Sequence, residues 1–129
     1  MTRTMLAILA SGTWISLSEF ARNELLFKSY WLEKYGSLGL QFPSEPLNGA
    51  LWVVWSFLLA ASIAVLSSKL RMLEAVATAW VMAFAMMWLV IGNLNVLPLG
   101  LLVFAIPLSI VEVTVAAFMS AKIIGKREH

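Results

Sequence analysis

Four long apolar runs, separated by three polar breaks, make up almost the whole chain. They fall at residues 5–27, 47–66, 75–91 and 99–121. At about 1.5 Å per residue, each approaches or exceeds the length of helix that crosses a bilayer. The pattern predicts an all-α fold: a four-helix transmembrane bundle forming one domain over residues 1–129. The second break is a short turn, Ser67 to Glu74. The third, Gly92-Asn93-Leu94-Asn95, carries no charge and ends at Pro98, which suits a tight hairpin.

The first break, residues 28–46, differs in composition. Tyr30, Trp31 and Tyr35 alternate with Lys28 and Lys34, as rings at headgroup level with ammonium groups in water would. Gly36, Gly39, Pro43 and Pro46 stop any long helix. The first helix is expected to overshoot the membrane and bend, with the following loop lying on the bundle end. The aromatic residues read first as an anchoring belt, and a lid over a polar cavity is the sharper alternative. Asn48, just after Pro46, is placed to cap the second span.

Polar residues interrupt the runs in a regular way. Gly12, Ser16, Glu19 and Asn23 share one side of the first helix at the i, i+4, i+7 repeat. Ala105, Ser109, Glu112, Ala116 and Ser120 make a second stripe in the fourth span, where Pro107 breaks the hydrogen-bond ladder. A mostly small stripe, Gly49, Val53, Ser56, Ala60, Ala64 and Ser67, runs along the second. In the third, Trp80, Phe84 and Trp88 lie on one stripe, and Met82 and Met86 on another. Hydrocarbon tolerates polar stripes only where other helices or water cover them.

Composition supports lipid as the solvent. The chain is 61% hydrophobic and 12% charged, with a mean hydropathy of +0.89, whereas soluble domains are about 25% charged. There is no cysteine, and the single histidine is the terminal His129. Disulfides, thiolate metal sites, histidine-ligated haem, zinc hydrolases and Ser-His-Asp chemistry are therefore excluded. All seven acidic side chains are glutamate. The net charge of +2 does not point to nucleic acid, because the basic residues sit at the ends of apolar runs. Arg3, Lys69, Arg71, Lys122, Lys126 and Arg127 gather at one end of a four-span bundle, and Arg22, Lys28 and Lys34 lie toward the other. Both termini are expected in the cytoplasm, of a bacterial inner membrane.

Two carboxylates fall within the hydrocarbon, Glu19 and Glu112, offset in depth by about one and a half turns. Arg22 is the one basic residue placed to neutralise either. Glu19 is expected to pair with it, and Glu112 to hold a proton unless Arg22 reaches it. Ser16, Asn23 and Ser109 are the expected hydrogen-bonding neighbours. This constellation predicts a protein that binds or transports a small cation or organic solute, with possible proton coupling, working as a homo-oligomer in the lipid bilayer. The alternative is a non-catalytic subunit or assembly factor of a larger membrane complex, docking partner helices through its polar seam. A lipid-modifying enzyme is a distant third, since Ser11, Thr13, Ser16 and Ser18 have only glutamate to serve as base. Met82, Met86 and Met87 carry thioethers suited to Cu(I), although packing is the commoner use of methionine. No cofactor or metal is expected.

Overall fold

The computed structural model describes residues 2–125. Expectations resting on Lys126, Arg127 and His129 fall outside the described residues. Among these there are five helices. Four are long and apolar enough to cross a membrane: α1 (Arg3–Leu26), α3 (Pro46–Lys69), α4 (Met72–Asn93) and α5 (Leu99–Ile124). The fifth, α2 (Lys28–Ser37), is short and follows a bend at Phe27. The overshoot expected after the first span is thus a separate helix at the bundle end.

The observed spans are longer than the predicted ones at one end or both, because capping and turn residues continue the helices beyond their apolar runs; only α1 stops a residue early, at Leu26. Pro46, with a fixed φ and no N–H, opens α3, which puts the cap three residues before Asn48, at Glu45. Asn48 is therefore not the cap. It sits in the first turn, and its side chain accepts the Glu45 N–H at 3.0 Å. Glu74 does the same for the Arg71 N–H at the start of α4. Gly125 closes α5 in the left-handed conformation, φ 85°.

Helix α1 lies between α3 and α5, and α4 packs on α3 and α5. Small residues let these backbones approach: Ala60, Ala79, Ala116 and Ala117 are buried among Ile15, Ile63, Phe84 and Val113. All five positions of the α5 stripe, Ala105, Ser109, Glu112, Ala116 and Ser120, are buried. Along α3 the stripe is buried only from Ser56 onward, and Gly49 and Val53 are exposed nearer the α2 end. Large apolar side chains cover the outside, with Leu73 80%, Leu89 74% and Val103 73% exposed. Such an exterior is stable against lipid rather than water.

Among the glycines, Gly12 has the least room for a side chain. A Cβ built there would lie 2.5 Å from the Phe57 ring of α3. Gly12→Ala is therefore expected to lower stability by about 1–3 kcal/mol. Adding Phe57→Leu should recover most of the loss in a detergent melting experiment. An unchanged melting temperature in the single variant would show that the α1–α3 contact is looser than described.

Three of the four long helices depart from α-geometry in their middle or outer portions. Ala21–Leu26 in α1 and Val81–Ala85 in α4 are π-turns. In these the Phe27 N–H reaches back to Arg22 and the Met86 N–H to Val81. Pro107 lies inside α5. None of the π-turns has a proline or glycine to announce it, and the periodicity of the sequence did not predict them.

Candidate functional site

The polar seam separates into hydroxyls satisfied locally and charges that are not. Ser11, Ser56, Ser62, Thr13 and Thr114 each donate to the carbonyl four residues earlier in their own helix. Such back-bonding makes them neutral packing groups. Ser109, one of the predicted site residues, donates to the Ile106 carbonyl and accepts from Trp80 Nε1 at 2.8 Å. It thereby ties α4 to α5 beside the proline.

The charges converge. Glu19 is 4%, Arg22 6% and Glu112 0% exposed. Arg22 Nη2 pairs with Glu19 Oε1 on the adjoining turn, and the same nitrogen lies 3.9 Å from Glu112 Oε2 across the helix interface. The long arginine side chain bridges the depth offset between the two carboxylates. The guanidinium also lies 5.1 Å from the Phe84 ring centroid, which places a cation over an aromatic face. Asn23 Nδ2 donates to Glu19 Oε2 at 2.9 Å, and Asn23 Oδ1 accepts from Trp31 Nε1 at 3.3 Å. A line of polar contacts thus runs from α2 through Asn23, Glu19 and Arg22 to Glu112.

Part of this cluster lacks partners. Arg22 Nη1 and both side-chain oxygens of Glu112 are buried without a hydrogen bond. Ser16 Oγ, on the turn before Glu19, is likewise buried and unbonded. Buried polar atoms in this state are costly. The backbone of Glu112 is better held, since its carbonyl accepts Trp14 Nε1 at 2.9 Å.

Above the charges is a cavity of about 700 Å³ at the α2 end of the bundle. Glu19, Arg22 and Asn23 form its deep part. Glu24, Lys28 and Glu45 stand nearer its rim, with Lys28 paired to Glu24 at 2.8 Å. Glu112 does not line it and lies behind Arg22. The aromatic residues of the first break do line it: Trp31, Tyr35 and Phe42 form a mutually packed cluster in its wall. Helix α2 is seated by Phe27 and Tyr30 against Leu97 and Leu101.

Of the residues singled out in the sequence, the structure brings Glu19, Arg22, Asn23 and Glu112 together. Ser109 serves a helix contact, and Ser16 makes no hydrogen bond to the cluster. What sequence reasoning missed is the aromatic wall from α3 and α4, Trp52, Trp55, Phe84 and Trp88. The tryptophan spacing was visible, but not the side it faced. Met82 and Met86 are exposed, whereas Met87 lines the cavity, so the three thioethers do not converge. Among the described residues no group of three or more acidic or histidine side chains is arranged to hold a metal ion. Comparison with protein-family models, curated proteins and solved structures finds no match.

Proposed function

We propose that this protein is a membrane-embedded carrier of small cationic solutes that exchanges a proton at Glu19 and Glu112 for the charge it binds. The observation that supports this reading is the cavity reaching down to Glu19 and Arg22, with Glu112 sealed behind them. Two carboxylates share one guanidinium, so the cluster contains one more acidic than basic group. In a medium of low dielectric that excess is satisfied by a proton or by a cation, and the two compete for it. Glu19 would meet the solute, Arg22 would divide its charge between the carboxylates, and Asn23 would hold Glu19 in place. An inward-facing cluster of this kind fits solute binding better than the docking of an external helix. Four spans enclose little on their own, so the carrier would act as a homo-oligomer, with both termini in the cytoplasm of a bacterial inner membrane.

The test is proton release on binding. The purified full chain in weakly buffered detergent is titrated with a panel of inorganic and organic monovalent cations, and pH is followed by an indicator dye. At least one of them should release about one proton per site, by the reciprocity of linked equilibria. No release with any member of the panel, despite a folded protein, would overturn the reading.

A further inference from the structure

Resting on that reading, we infer that the cavity is a binding site for a free organic ammonium ion with apolar substituents, in preference to a hydrated inorganic cation. Its walls carry the inference. Trp52, Trp55, Phe84 and Trp88 form a continuous series, with successive ring centroids 5.6, 5.7 and 5.5 Å apart. Trp31 and Phe42 continue the aromatic surface on the α2 side, 6.0 Å apart. Aromatic faces attract alkylated ammonium groups and provide apolar contact for their substituents, while giving a metal ion no oxygen ligands.

The protein already places two of its own cations on rings of this cavity. Arg22 lies over Phe84, and Lys28 lies 5.5 Å from the Phe42 centroid. The balance of charge favours a further cation over an anion. Glu19, Glu24 and Glu45 line the cavity with Arg22 and Lys28, and Glu112 stands behind, so four carboxylates face two basic groups. The volume falls within the range of about 300–1,000 Å³ usual for small-molecule sites. The exposed Glu24 and Glu45 and the half-exposed Lys28 line the cavity as charged groups that require water, which favours a dissolved solute over the ammonium of a lipid headgroup.

The full chain in dodecyl maltoside is titrated with tetrapropylammonium chloride, with potassium chloride and 4-heptanol as inorganic and uncharged controls, and binding is read by calorimetry. Tetrapropylammonium should bind in preference to both. Trp88→Leu and Trp52→Leu should each weaken it by about 3- to 30-fold, while Trp88→Phe stays within about 2-fold and Phe104→Leu, which is outside the cavity, has no effect. Affinity should be equal in nanodiscs of phosphatidylglycerol with and without phosphatidylethanolamine.

Glu19-dependent binding of potassium alone would overturn the ammonium assignment and leave the carrier reading intact. Failure of tetrapropylammonium and potassium alike would overturn the ammonium assignment, and the carrier reading falls with it only if the wider cation panel also releases no proton. Equal binding of 4-heptanol would reduce the cavity to an apolar pocket and overturn the assignment. Competition by phosphatidylethanolamine would give the site to a lipid headgroup and overturn the free solute.

Discussion

Arg22→Met should destabilise the bundle by about 3–5 kcal/mol, the largest loss expected from any single change in the chain. Removing one partner of a buried ionic group leaves the other uncompensated, and that penalty exceeds what the intact pair contributes. Here two carboxylates depend on the same guanidinium, one by direct pairing and one at 3.9 Å. Methionine preserves the unbranched apolar stem and much of the volume, so packing against Phe84 is largely retained. Adding Glu19→Gln should restore most of the loss, because the double variant again holds a single carboxylate beyond its basic complement. Fraction folded against denaturing detergent is the measurement. A loss below about 1 kcal/mol in the single variant, or no recovery in the double, would mean that these groups are individually hydrated.

Glu112→Gln should leave the fold intact and abolish solute-linked proton release, from about one proton per bound cation to none. The substitution keeps the shape of the side chain and removes a titratable group that does not line the cavity. Any change in binding is therefore transmitted through Arg22. Glu19→Gln, by contrast, alters the cavity floor and should lower affinity directly. The comparison is made on the two purified variants with the same indicator dye. Undiminished proton release from Glu112→Gln would show that Glu112 is a structural group and that Glu19 acts alone.

The readable and unreadable parts of this molecule divide along a physical line. The α5 stripe was legible because small and polar residues recur there at helical spacing, and every predicted member is buried. Arg22 was legible as a partner because the chain has so few basic residues within apolar runs. The cavity was not, since its walls come from all five helices and the loops between them, whose mutual rotation no local pattern records. The two π-turns escaped for a related reason. One extra residue per turn shifts which side chains face inward, yet it leaves composition and average periodicity almost unchanged. The aromatic residues at 28–46 carried the chemistry of an interfacial belt, and only the return of Phe42 onto Trp31 and Tyr35 places them in a wall.

The two ends of the bundle are built to different mechanical standards. From Gly12, Ser11 and Ser120 toward the chain termini, small residues hold the backbones in tight register. Toward α2, bulky rings surround empty volume. The π-turn of α1 and Pro107 lie in the halves of their helices nearer α2, and the π-turn of α4 lies at its middle; a backbone with loosened hydrogen bonding bends there at small cost. The departures from α-geometry thus sit between the alanine-packed end and α2, with Arg22 inside the π-turn of α1 and Asn23 linking that turn to α2. Closing around an occupant would need no slippage among the alanine-packed helices below.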